Sequence, residues 1–297
     1  MAVVNVVVIH GIGALRTAGP SYSLPLQTNI RKHFGIDDPD ALQFYEVDWS
    51  DIGDAAESEL VHEKQVIPHN VLPHPLVPFR HGVGEALDKL FGASVEMRRF
   101  LLTGLGDVLI YLTTRGEREI QYRLTKTILD IRARLGATDP GRPRYVSIVA
   151  HSLGSVVAYD VAARLAGEYS ELVSGLGLSH FFTLGSPLAL FSLLEYRNPE
   201  DSHYRARGVL LDRQDRSGEW LNFYDQQDVA AFLLAKVYPP IPGVRGRHYT
   251  IQDIRVQTGT FHAHTNYWAN EVVAREIAKR LRADYQKDRG WGIGDRG

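Results

Sequence analysis

A serine between a buried strand and a helix constrains this chain more than any other sequence feature. The run from Tyr145 to Val149 is mostly apolar and β-branched, which is typical of a buried strand. It ends at Ala150-His151-Ser152-Leu153-Gly154, and apolar residues then recur at helical spacing as far as Leu165. We therefore predict a sharp strand-to-helix turn with Ser152 at its tip.

The small residues around Ser152 favour a nucleophilic serine. In the pattern G-x-S-x-G the strand and the helix nearly touch, so the residues two before and two after the serine must be small. Gly154 meets this requirement, and Ala150 replaces the first glycine with one extra methyl group. The helix N-terminus adds a partial positive charge beside the serine. The alternative, a serine that only caps the helix, does not explain the whole pattern.

A second buried strand, from Val3 to Ile9, leads directly into His10-Gly11-Ile12-Gly13. A tetrahedral intermediate needs two N–H donors for its oxyanion, and we predict that Ile12 and Leu153 supply them. The alternative is a dinucleotide-binding loop, but Arg16 stands where G-x-G-x-x-G requires its third glycine. The chain therefore favours an oxyanion-binding turn at this position.

Two loops beyond the serine contain the candidates for the acid and the base, in the expected order Ser, Asp, His. The predicted strand from Glu219 to Tyr224 is followed by two aspartates. We favour Asp228 as the acid because of its position in the loop, and Asp225 is the alternative. His264 lies close to the start of the last predicted helix and is the expected base, with His262 as the alternative.

Another predicted strand, from His180 to Leu184, ends at Gly185-Ser186-Pro187. Ser186 is a second serine at a strand end, but Pro187 lacks an N–H donor, and we expect no helix to start there. We therefore predict that Ser186 and Pro187 form a wall of the substrate pocket. The other predicted pocket residues are His10, Gly11 and His151.

The length of 297 residues suits one large α/β domain with an insertion. No clear strand signal occurs between Trp49 and Tyr145, so we predict a cap or lid insertion at residues 50–135. Within it, residues 116–135 have the apolar spacing of an amphipathic helix. The final helix is predicted over residues 266–285, and the glycine-rich, charged residues 288–297 are expected to form a mobile tail.

The composition and charge limit the kinds of binding partner and chemistry that we expect. The net charge of −2 implies no broad attraction to nucleic acid, and the absence of cysteine excludes disulfides and thiolate catalysis. Four histidines in the insertion have irregular spacing, so we predict no metal site there: His62, His69, His74 and His81. The predicted serine, histidine and aspartate need no cofactor. Met1 leads into the first strand without a basic leader, which favours a cytoplasmic protein whose apolar loops could contact a membrane peripherally.

Taken together, these motifs resemble those of lipase-type α/β-hydrolases. The matching segments are residues 8–13, 147–160, 182–188, 220–225 with 228–229, and 264–268. They are similar to the lipase portion of DDHD-type intracellular phospholipase A1 proteins, as are residues 107–112, and more distantly to GPI inositol-deacylases. The resemblance implies an α/β-hydrolase fold with a mostly parallel central sheet and helices on both faces.

The same resemblance implies a serine hydrolase that cleaves carboxylic esters of lipids or small molecules through an acyl-enzyme. Residues of about 50–105 have no counterpart in the resemblance, and because such insertions set specificity, the substrate and the oligomeric state stay open. An acyltransferase or thioesterase would use the same three residues. A non-catalytic α/β-hydrolase fold would use the pocket for binding alone.

Overall fold

The computed structural model describes residues 2–11, 21–52, 114–138, 144–166, 170–173, 175–195, 218–238, 241–242, 248–249, 251–259 and 263–294. The strands in these ranges are β1 (Val4–Ile9), β2 (Leu42–Val47), β3 (Arg144–His151), β4 (Leu176–Leu184), β5 (Glu219–Tyr224), β6 (Ile241–Pro242), β7 (His248–Tyr249) and β8 (Ile251–Arg255). The α-helices are α1 (Leu24–Phe34), α2 (Thr114–Thr138), α3 (Leu153–Ala166), α4 (Leu188–Glu195) and α5 (Glu271–Gly294).

Six of the strands form one sheet in the order β2-β1-β3-β4-β5-β8, and every neighbouring pair is parallel. Strands β1 and β4 are buried along their whole length, as continuous apolar runs in a parallel sheet should be. β6 and β7 form a separate antiparallel pair. The predicted parallel sheet is therefore confirmed, with β1 and β3 side by side in its interior.

Helices cover both faces of the sheet, as expected. Alternate residues of β1 point to opposite faces, so Val6 and Val8 pack with helices α1 and α5, whereas Val7 and Ile9 pack with α2 and α3. Each face thus has its own apolar core, and the two cores hold the sheet rigidly between them. None of the helices that the structure describes combines the length and the apolar character needed to cross a membrane.

Helix α2 lies in the main fold and not in a cap. The predicted helix at 116–135 is present, but Ile120, Leu124 and Ile128 are buried in the core between α2, α3 and the sheet. The helix comes between β2 and β3 in the chain, so the part of the predicted insertion at 50–135 that begins at Thr114 packs on the sheet. Residues 53–113, including the four histidines, lie outside the described residues.

The last helix differs at both ends from the prediction. A short 3₁₀ turn covers Asn266–Ala269, and α5 begins at Glu271 because the Asn270 side chain accepts the backbone N–H groups of Val272 and Val273, at 3.0 and 3.2 Å. The helix continues to Gly294, so most of the segment predicted as a tail, 288–297, is helical. The mobility of this segment stays a prediction.

The order of the strands determines where a site can form. The chain runs from β1 to β2 on one side and then places β3 on the other side of β1. In open α/β sheets such a reversal leaves a crevice at the carboxyl ends of the two strands. The residues that follow β1 and β3 are His10-Gly11 and Ser152, which are the residues singled out by the sequence.

Candidate active site

Ser152 occupies a strained turn between β3 and α3. Its φ of 52° is the only positive φ of a non-glycine residue in the described part of the chain. Its backbone N–H donates to the Leu184 carbonyl at 2.9 Å, which ties the turn to the end of β4. Because a left-handed serine is unfavourable unless its surroundings enforce it, this conformation indicates a functional constraint.

Two glycines allow the strand ends to approach this serine. A methyl group on Gly154 would overlap the carbonyl oxygen of His10, and one on Gly11 would overlap the Ser152 side chain. Ala150 is fully buried in the strand before the turn. The predicted requirement for small residues is therefore met through the contact between α3 and the turn after β1.

The side chains of Ser152, His264 and Asp228 form one hydrogen-bonded chain. Nε2 of His264 lies 2.7 Å from the Ser152 Oγ, and Nδ1 lies 2.9 Å from both carboxylate oxygens of Asp228. All three residues are at most 3% exposed. With the proton on Nδ1, the ring donates to the carboxylate and accepts from the serine hydroxyl.

The structure brings Asp228 to His264, but it does not bring Asp225 there. The Asp225 carboxylate accepts the backbone N–H of Gln227 at 2.9 Å and, on its other oxygen, the N–H and the hydroxyl of Thr258 at 2.6 and 2.8 Å. Burial alone would raise the pKa of Asp225, but these donors lower it below its usual value. The hydrogen bonds of Asp225 therefore stabilise the loop. His262, the alternative base, lies outside the described residues.

One of the two predicted oxyanion donors can be placed. Leu153 is the first residue of α3, so its N–H has no carbonyl one turn earlier in the helix, and the described residues offer it no other acceptor. This N–H follows Ser152 directly, as expected for such a donor. Ile12 lies outside the described residues.

Residues 110–193 match the family described as "Putative serine esterase (DUF676)", and this segment contains α2, β3, Ser152 and α3. This segment of the chain is therefore similar to a serine esterase family. The parallel sheet with helices on both faces agrees with the α/β fold predicted from the sequence.

Two individual proteins are similar to parts or to the fold of this chain. A Schizosaccharomyces pombe protein named as a probable mitochondrial phospholipase is 31% identical over 100 residues. That match covers 33% of this chain and only 13% of the yeast protein. The structure of an esterase from Pyrobaculum calidifontis superposes with a TM-score of 0.42 at 11% identity, covering 95% of this chain and 77% of the other.

The sequence analysis did not predict Tyr267 as part of this candidate site. Its hydroxyl donates to the Asp228 Oδ2 at 3.0 Å and accepts the backbone N–H of Asp225 at 2.8 Å. Burial and the charge of Asp228 raise the pKa of Tyr267, so the hydroxyl keeps its proton. In the sequence, Tyr267 is recognisable only as a tyrosine three residues after the expected base. Its hydrogen-bond partners lie about 40 residues earlier, so the sequence does not show that they meet.

His151 contacts His264 from the side of the protein core. Its Nε2 donates to the His264 carbonyl oxygen at 2.5 Å, and the two ring centroids are 4.8 Å apart. Burial, together with the neighbouring His264, lowers the pKa of His151 to about 3. The ring therefore stays neutral at any working pH. The His151 ring also lies near the rings of Tyr267 and Trp268, with centroids 6.0 and 5.1 Å away. Its place in the wall of a substrate pocket stays a prediction.

His10 holds the turn after β1. Its Nε2 accepts the Trp49 backbone N–H at 3.2 Å, its Nδ1 lies 2.5 Å from the Gly11 carbonyl oxygen, and its ring stacks on Trp49. The Trp49 indole N–H donates to the His10 carbonyl oxygen at 3.0 Å. Burial lowers the pKa of His10, which keeps the ring neutral and able to accept. His10 thus fixes the backbone against which Gly154 packs.

Ser186 and Pro187 differ from the prediction in one respect. Helix α4 starts at Leu188, directly after Pro187, although we expected no helix there. Proline suits a helix start, because the first N–H groups of a helix need no helical partner. The buried Ser186 hydroxyl lies 2.7 Å from the Ser155 hydroxyl and accepts the Leu188 N–H at 3.3 Å. Its hydrogen bonds thus link the starts of α3 and α4.

Proposed function

We propose that this protein hydrolyses carboxylic esters of lipids through Ser152, His264 and Asp228. The observation that carries the proposal is the His264 ring, which contacts the Ser152 Oγ with one nitrogen and both Asp228 oxygens with the other. A buried serine, histidine and carboxylate in this order supply a nucleophile, a general base and a group that orients the base. Similarity to a serine esterase family supports the ester as substrate.

In the proposed mechanism the Ser152 oxygen attacks the acyl carbonyl while Nε2 of His264 takes the hydroxyl proton. Asp228 holds the ring in the required tautomer and stabilises its charged form. The Leu153 N–H, with a second donor, holds the oxyanion of the tetrahedral intermediate. His264 then returns the proton to the leaving alcohol. A water molecule, activated by the same ring, releases the acid from the acyl-enzyme. No step requires a cofactor.

A lipid substrate is supported by exposed apolar side chains on the segment that follows the proposed acid. Leu233 and Val237 are 37% and 40% exposed there. Such side chains favour contact with an acyl chain or a lipid surface. The yeast relative's name as a phospholipase points in the same direction.

The test is covalent labelling of the purified protein with a fluorophosphonate, which reacts with activated serines. We expect the wild type to be labelled and Ser152→Ala to lose the label. Ser186→Ala is the matched control, because it removes the other strand-end serine and should keep the label. Hydrolysis of p-nitrophenyl esters of increasing chain length, with and without detergent, then separates esterase from lipase. A folded wild type that resists labelling under all these conditions contradicts the proposal.

A further inference from the structure

The loop that contains the proposed acid and the segment that contains the base meet at one buried hydroxyl. Tyr267 lies three residues after His264, in the 3₁₀ turn Asn266–Ala269, and its side chain is fully buried. The hydroxyl contacts the loop after β5 twice, through the Asp228 carboxylate and the Asp225 backbone N–H. A single rigid turn therefore leads from the base to the carboxylate that orients it.

The Asp228 carboxylate depends on this hydroxyl for part of its hydrogen bonding. Oδ1 accepts the Ala230 N–H at 3.0 Å, whereas Oδ2 receives only the Tyr267 hydroxyl besides the shared bond from His264 in the described residues. The residue is 1% exposed, so no bulk solvent replaces a lost donor. A buried anion without enough donors is costly, and its proton affinity rises.

The surroundings enforce the position of the hydroxyl. Gly185 has a φ of 57°, and a methyl group there would lie 2.8 Å from both the Asp228 Oδ2 and the Tyr267 Cε2. On the other side, the Asp225 carboxylate is fixed to Thr258, which in turn bonds the Ala263 carbonyl beside His264. The contact between ring and carboxylate is therefore packed from two sides, and small shifts of the tyrosine are hindered.

We infer that Tyr267 is a positioning residue that sets the proton affinity of the base through Asp228. This inference rests on the proposed function of Ser152, His264 and Asp228 and adds a fourth group to it. By donating to Oδ2, the hydroxyl withdraws negative charge from the carboxylate. It thereby limits the stabilisation that Asp228 gives to protonated His264.

The test is Tyr267→Phe, which keeps the ring and removes the hydroxyl. The carboxylate then stabilises the imidazolium more strongly, so the acidic limb of the kcat/KM profile should move to higher pH by about half a unit to one unit. The plateau value of kcat/KM should fall roughly 3- to 30-fold as orientation is lost. An acidic limb that does not move, or that moves to lower pH, overturns the inference even if activity falls.

The matched control is Tyr22→Phe. Tyr22 is comparably buried, but its hydroxyl donates to the backbone carbonyls of Val8 and Val47 and has no hydrogen bond to a carboxylate among the described residues. We expect this variant to lose stability without moving the acidic limb. Thermal unfolding of both variants identifies loss of fold, and a limb that moves equally in both contradicts the specific role of Tyr267.

A readout without substrate separates this inference from the proposed function. In protein labelled with ¹⁵N-histidine, the His264 ring resonances are identified by their loss in His264→Gln, and their titration midpoint is followed by NMR. Tyr267→Phe should raise that midpoint and shift the Nδ1–H resonance whether or not esters are hydrolysed. Absence of fluorophosphonate labelling would contradict the proposed function, whereas an unchanged midpoint would contradict the role of Tyr267.

Discussion

Individual hydrogen bonds distinguish the two aspartates that the sequence offers as candidates for the acid. Asp225 and Asp228 lie in one loop, three residues apart, and the sequence alone favours Asp228 only by its place in the loop. The difference arises from residues distant in sequence, because Thr258 occupies the Asp225 carboxylate and His264 meets Asp228. The turn at Ser152 could be predicted from the sequence, because the residues that form it are neighbours of Ser152 in the chain. The contacts of Tyr267 could not be predicted, because its partners come from another loop.

Asparagine substitutions should separate the two aspartates. Asp228→Asn is expected to lower kcat by roughly 10³- to 10⁴-fold with little loss of fold, because the amide no longer stabilises the required tautomer and charge of His264. Asp225→Asn should instead lower the free energy of unfolding by about 1–3 kcal/mol, since it disturbs buried hydrogen bonds to Thr258. Ester hydrolysis and urea unfolding of both variants check this. The reverse pattern would make Asp225 the acid.

At the scale of elements, the sequence predicts what local periodicity encodes. The strands around Ser152 and the helix at 114–138 follow from apolar spacing. The same spacing does not reveal which surface an amphipathic helix covers, so α2 could be read as part of a cap until its contacts with the sheet were known. The last helix was predicted too short because its charged end looks like a tail, although continued backbone hydrogen bonding keeps it helical.

The contact between α3 and the turn after β1 gives a prediction for Gly154→Ala. Alanine is normally the better helix former, but here its methyl group overlaps the His10 carbonyl. We expect a loss of about 1–3 kcal/mol in unfolding free energy, with lower activity because the Ser152 turn shifts.

The control is Gly175→Ala, where no atom of the described residues lies within 4 Å of the added methyl group and the φ of +78° is what opposes a side chain. That change should cost about 1 kcal/mol and leave ester hydrolysis unchanged. Denaturant unfolding and kcat/KM measured on both variants compare the two cases. A Gly154→Ala variant as stable and active as the wild type would contradict the close approach seen here.

At the scale of the whole molecule, the parallel sheet could be predicted but its strand order could not, because pairing depends on which faces the helices cover. Because the strands are parallel, the carboxyl ends of β1, β3, β4 and β5 lie on the same side of the sheet. Residues that are far apart in the sequence, from position 10 to position 264, therefore come together there. Two uncharged histidine side chains are buried among these strand ends. His10 and His151 are both at 1% exposure. Acid stability of the fold is therefore linked to the same residues that build the site.

This linkage predicts how stability depends on pH. His151 has a pKa of about 3 in the folded protein and about 6.5 when unfolded, so below pH 6.5 the unfolded chain binds one more proton at this residue. Its contribution is complete above pH 6.5 and is lost as pH falls towards 3, by up to about 1.4 kcal/mol per pH unit. His151→Gln keeps an N–H donor for the His264 carbonyl but cannot titrate. Urea unfolding between pH 4 and 8 should therefore show a shallower pH dependence for the variant than for the wild type, by about one proton. If both proteins lose stability equally steeply, burial of neutral His151 does not limit the acid stability of the fold.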